Sequence, residues 1–224
     1  MANIYDTIEW KSLDKTDRAQ ILLVNEGLKK GAITGGNWTT FIDILDELGL
    51  NYQSNTEYGL LNPVFTVGKT EDIREYNRRF LTIPENGNEL IEVFKISGEF
   101  LGYPDCCIAE YSRKKTPEEK KAKGLQRHRS YPFGRELEEL IRKEGSYSDI
   151  FDYRPPTFTP CSVNCENAKA LLTAYKKALE KNDPEAAKEL VDFNRRTYPE
   201  RLVHEEELEK QDLYNRIASL TSST

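Results

Sequence analysis

Apolar residues recur at helical spacing through most of the chain, and capping and breaking residues divide them into separate helices. Ile21, Leu22, Val24 and Leu28 mark one face of a segment from 14 to 30, with Asp14 placed to cap its start and Gly31 after its last turn. Trp38, Phe41, Ile42, Leu45 and Leu48 repeat the pattern from 38 to 48, between Asn37 as cap and Gly49 as stop. That spacing assigns the aromatic residues to a core. From Leu50 to Val67 the pattern changes to Tyr, Leu, Val, Phe and Thr with turn residues between them, which predicts two short strands near 50–54 and 60–67. Pro63 restricts the second to an edge position or a late start, because proline donates no ladder hydrogen bond.

Thr70 caps a helix through Leu81, with Glu71 and Asp72 at its positive end. After the Pro84-Glu85-Asn86-Gly87 break, an apolar helix from about 89 to 101 ends at Gly102. Thr116-Pro117-Glu118-Glu119 has capping-box spacing, and Tyr131-Pro132-Phe133-Gly134 separates that start from a helix at 135–144. An aromatic, proline-rich connection from Tyr147 to Phe158 leads to a helix ending near Lys181. Asp183-Pro184-Glu185 then opens a helix to about Arg196, and a last one runs from Pro199 to about Leu220. The predicted fold class is mainly α with a small β element in the N-terminal half, α+β being the alternative. Residues 1–181 are expected to form one helical core holding the β element and the cysteines, with 182–224 as a C-terminal helical pair packed on it.

Composition narrows the setting. Charged residues make up 31% and apolar residues 38% of 224, a mixture expected of a solvated globular protein. No apolar run reaches the roughly 18 residues of a membrane span, so no membrane partner is expected. Residues 1–20 lack a basic segment followed by an apolar one, and the expected compartment is the cytoplasm, where thiols stay reduced. Charge is segregated: the segment from Arg113 to Arg129 is net +6 within a chain of net charge −6. Lys120, Lys121, Lys123, Arg127 and Arg129 are its candidate contacts to nucleic acid or another phosphate-bearing ligand, with Tyr131 and Phe133 downstream as stacking surfaces.

All four cysteines fall in two short segments, Gly102-Tyr103-Pro104-Asp105-Cys106-Cys107 and Thr159-Pro160-Cys161-Ser162-Val163-Asn164-Cys165. Each has a proline just ahead of its cysteines, which reads as a helix start, with Thr159 as N-cap of the second. Unpaired N–H groups at helix starts favour thiolates, the form that binds metal. On a helix Cys161 and Cys165 share a face, whereas Cys106 and Cys107 point about 100° apart, so three convergent thiolates are easier to build than four. Zn²⁺ or an iron–sulfur cluster is the leading reading. Disulfides joining the two segments and isolated buried thiols are the others. Asp105, His128 and His204 are candidates for a fourth ligand. Phosphate-cradling glycine loops, dinucleotide fingerprints, Gly-x-Ser-x-Gly elbows and His-Glu-x-x-His are absent, so no motif names a reaction.

The paired motifs Gly-Tyr-Pro-x-Cys-Cys and Pro-Cys-Ser-x-x-Cys resemble those of a family of uncharacterised, largely archaeal proteins classed under a domain of unknown function, over about Val67 to Leu172. The resemblance implies no activity. Its pattern places a histidine shortly before the Pro-Cys-Ser element, where this chain has Phe158 and Thr159. The expectation carried forward is a metal-binding protein using Cys106, Cys107, Cys161 and Cys165. The alternative is a non-enzymatic, disulfide-stapled helical module that binds nucleic acid or protein through residues 113–133.

Overall fold

The computed structural model describes residues 3–35, 38–55, 64–83, 89–113, 131–144 and 147–195. After a 3-10 turn at Ile4–Asp6, Thr7 caps α1 (Ile8–Ser12) by accepting from the Trp10 N–H. α2 (Lys15–Asn25) begins as expected at Asp14, whose carboxylate accepts from the N–H groups of Thr16 and Asp17. It stops earlier than the apolar spacing suggested. Gly27, at φ 70°, supplies the left-handed turn, and Gly31 is the first residue of a strand that the sequence reading lacked, β1 (Gly31–Gly35). Five residues bounded by two glycines carry too little alternation to be told from a helix tail.

α3 (Trp38–Glu47) is followed by Gly49 at φ 66°, and then by β2 (Asn51–Asn55) and β3 (Val64–Gly68). The three strands form an antiparallel sheet of order β1-β3-β2, so β3 starts late but is central rather than at an edge. Ala32, Val67 and Tyr52 align across the sheet, as do Thr34, Phe65 and Ser54. This face meets the main core, where Phe65 lies 4.9 Å from Phe41 of α3. The opposite face carries Ile33 and is covered by Ile73 of α4 (Thr70–Leu81) and Phe100 of α5 (Glu89–Phe100). The cap of α4 is Lys69, with no side-chain bond, and Thr70 is its first residue. Gly31 is required where Phe100 crosses the strand: a Cβ there would sit 1.9 Å from the ring.

α6 (Asp105–Ser112), α7 (Pro132–Glu144), a 3-10 turn at Asp149–Tyr153, α8 (Glu166–Asn182) and a helix over 184–195, α9, make up the rest. α7 starts at Pro132, three residues ahead of expectation, since proline fits the first helical position. A buried polar pin ties the ends of the described chain together. Asp183 accepts from the Trp10 indole N–H at 2.7 Å, caps the Ala186 N–H at 3.0 Å, and faces Arg18 at 3.4 Å. Ala186, Ala187 and Leu190 of α9 share the core with Trp10, Leu22 and Leu172. Among the described residues no helix is long and apolar enough to cross a membrane. The helix start at Thr116 and the helix expected at 199–220 lie outside the described residues.

Candidate metal centre

Two local structures bring the cysteines together. At the first, α5 ends on Gly102, φ 75°, with the Tyr103 N–H donating to the Gly98 carbonyl at 2.9 Å and the Gly102 N–H to Glu99 at 3.2 Å. This paired closure is the one a left-handed glycine allows. Only Tyr103 and Pro104 separate it from α6, whose first turn holds Asp105, Cys106 and Cys107. The Cys107 and Ile108 N–H groups donate to the Pro104 carbonyl, so Pro104 is the cap rather than the first helical residue.

The second segment departs from expectation. No helix begins at Pro160; residues 161–164 form a turn and α8 starts at Glu166, with Cys165 as its N-cap. Glu136 of α7 holds this turn. Its carboxylate accepts from the Ser162 hydroxyl at 2.6 Å and from the Val163 N–H at 2.8 Å. Ser162 in turn accepts from the Asn164 N–H at 3.0 Å. With the turn so bent, both of its sulfurs reach the tip of α6.

The four Sγ atoms all lie within 4.8 Å of one another. Cys165 is 3.5 Å from Cys106 and 3.8 Å from Cys107, sulfur to sulfur. These are thiol contacts rather than disulfides: all four cysteines are free. Cys106 is exposed, Cys107 buried, and the other two half-buried. Adjacent Cys106 and Cys107 both reach the group because first-turn residues at a helix tip flank a centre lying off its end. Three sulfurs receive N–H donors: Cys107 from the Cys161 backbone at 3.4 Å, Cys165 from Ala168 at 3.4 Å, and Cys106 from the Asn167 side chain at 3.6 Å. Such donors stabilise thiolate charge.

The thiols differ in acidity. Burial works against ionising Cys106, but the Asn167 N–H and the neighbouring thiols outweigh it, and its pKa falls below the ordinary thiol value. Burial drives Cys107 far above that value, with charge on the other sulfurs adding to the rise. Cys161 is pushed up to about 12, first by burial and then by Cys165 beside it. Four sulfurs this close do not all ionise without a cation among them. With one, they can hold a metal ion.

Asp105 is exposed at the first position of α6 and is not part of the group of four. His128, His204, Lys120, Lys121, Lys123, Arg127 and Arg129 lie outside the described residues. Tyr131 and Phe133 are core residues instead of open stacking surfaces: Tyr131 lies flat against Tyr111 with ring centres 5.0 Å apart, and Phe133 is fully buried beneath the Arg154 guanidinium. Sequence reasoning missed Glu136 and Asn167. One is a glutamate among several on a charged helix and the other follows the motif by two residues, so nothing in the pattern marked either.

A family model described as a protein of unknown function (DUF483) matches residues 77–193. The chain belongs to that family. The match spans both cysteine segments and the Glu136 helix that holds the second, so the whole candidate centre lies within the family region. No curated protein and no solved structure matches the chain. Phe158, near the place where the motif resemblance expects a histidine, is buried and stacked on Tyr103 with ring centres 4.6 Å apart.

Proposed function

We propose that the chain binds one Zn²⁺ through Cys106, Cys107, Cys161 and Cys165, and that the ion locks the tip of α6 to the turn before α8. The supporting observation is the sulfur spacing. A tetrahedral ion with metal–sulfur bonds of about 2.3 Å separates its thiolates by roughly 3.8 Å. The sulfurs here lie within 4.8 Å of one another, with Cys165 3.5 Å from Cys106 and 3.8 Å from Cys107. An iron–sulfur cluster spreads its thiolates over several irons and so holds them further apart, which favours a single ion.

Four thiolates close the coordination sphere. A closed tetrahedral set leaves no position for water or substrate, so the ion serves structure rather than hydrolysis. Its charge offsets the four sulfurs, and the donors from Cys161, Ala168 and Asn167 carry the residual negative charge. A reducing compartment such as the cytoplasm suits such a centre.

Elemental analysis of chain purified without chelators tests the proposal. One zinc per chain is expected, falling below a tenth in Cys161→Ser with the fold retained by circular dichroism. Metal-free wild-type protein, or full zinc content in Cys161→Ser, contradicts it.

A further inference from the structure

A cavity of about 300 Å³ opens beside the four thiols, between α5, the start of α6 and residues 157–159. Cys107 forms part of its wall, and Thr157, Phe158 and Thr159 border it on their way into Pro160 and Cys161. Its other walls combine the rings of Phe94, Tyr103 and Tyr111 with aliphatic Val93, Leu101 and Ile108.

These walls are braced. Tyr103 stacks on Phe158, and its hydroxyl bonds Thr157 at 2.6 Å. Phe94 meets Tyr111 edge-on, with ring centres 5.0 Å apart. Gly98 lets α5 and α6 approach so closely that a Cβ there would sit 2.8 Å from Ile108. Thr159 adds a hydroxyl-bearing side chain to the lining, while the Ser97 hydroxyl faces that of Tyr76 at 3.4 Å. None of the described lining residues carries a cationic or carboxylate side chain.

We infer that this cavity is a binding site for a small, neutral, mainly aromatic molecule bearing one hydroxyl, carbonyl or N–H group. Its volume stands at the small end of ligand pockets, which run from about 300 to 1,000 Å³. That suits one ring or two fused rings. Aromatic walls complement a flat apolar body, and the Thr159 side chain offers a hydroxyl to its polar group. An anion would lose its hydration without gaining a cationic partner among the described lining residues, so phosphates and carboxylates are disfavoured here.

The test uses the metal-loaded full chain, titrated with p-cresol and with indole by calorimetry and by NMR shifts of the cavity residues. Benzoate serves as the anionic counterpart. Saturable one-to-one binding of at least one neutral probe is expected, with benzoate at least tenfold weaker. Val93→Trp, which fills the cavity from α5, should weaken the neutral probe at least tenfold; Ser97→Leu, a smaller filling change, provides the same readout if Val93→Trp does not fold. Metal content measured in the same samples separates this inference from the metal proposal, because a filled cavity with one ion per chain should lose only the probe. Absence of saturable binding by both neutral probes, undiminished binding in the filled variant, or benzoate binding as tightly as they do would overturn it.

Discussion

Glu136 is the side chain on which the shape of the second cysteine segment depends, and its removal gives the sharpest test of how the centre is held. The carboxylate makes two bonds, to the Ser162 hydroxyl at 2.6 Å and to the Val163 N–H at 2.8 Å. Hydrogen bonds to a charged group contribute about 1.5–3 kcal/mol each. Glu136→Ala deletes both and leaves the N–H of buried Val163 unpaired. Outer-shell changes of this kind typically lower metal affinity by about 10–100-fold. Glu136→Gln keeps an acceptor oxygen and should lose less, about tenfold at most. The assay is competition for Zn²⁺ against a chromophoric chelator of known affinity, with stoichiometry measured at saturation. The expected result is one ion per chain at saturation in all three proteins, with affinity in the order wild type, Gln, Ala. Affinity in Glu136→Ala within twofold of wild type, with the fold intact, would show that the turn holds its shape without the carboxylate.

Three further outcomes follow from the packing and the charges. Gly31→Ala drives a methyl into the buried Phe100 ring and should cost about 1–3 kcal/mol of stability, read as a lower urea midpoint at unchanged slope; an unchanged midpoint would mean the ring can move aside. Asp183→Ala strands buried Arg18 with, among the described residues, the exposed Glu185 as its remaining ion-pair partner and unpairs the Trp10 indole, for an expected loss of about 3–5 kcal/mol, and a loss under about 1 kcal/mol would refute the pin. The Asp17 carboxyl is raised to about 7 by burial and by Asp14, against the lowering effect of the Gly35 N–H. The folded chain therefore holds a proton that the unfolded chain releases near its ordinary value of 3.8, and this contribution, complete at lower pH, is lost as pH rises through about 7. Lys29, brought down to about 7 by burial, acts in the opposite sense: from there to 10.5 the unfolded chain binds more protons and stability rises with pH. Denaturation across pH 4–10 should show a dip near neutrality, each limb no steeper than about 1.4 kcal/mol per pH unit, and Asp17→Asn should flatten the acidic limb alone.

Local chemistry made the helices readable in sequence. Asp14 caps α2 as its type suggests, and Gly102 with Pro104 two residues on marks a helix stop and the next start. What escaped were features held by distant partners. Trp10 lies in a short helix without a long apolar stripe, and the partner of its indole N–H, Asp183, stands 173 residues away. β1 exists because β3 pairs with it and Phe100 covers its glycine, neither of which its five residues announce.

The convergence of the cysteines was legible from their grouping, but the geometry was not. A helix through Cys161 and Cys165 was expected. The observed turn depends on Glu136, 26 residues before Ser162, and the turn is what lets a fourth sulfur join three. The same holds for Tyr131 and Phe133: their place beside a basic segment suggests contact surfaces, whereas Tyr111 and Arg154 cover them.

X-ray absorption at the metal edge of the purified chain tests the central claim most directly. A single shell of four sulfurs at about 2.3 Å, with no metal neighbour beyond it, is the predicted result. Oxygen or nitrogen ligands in the first shell, or a second metal close by, would contradict a lone ion held by Cys106, Cys107, Cys161 and Cys165.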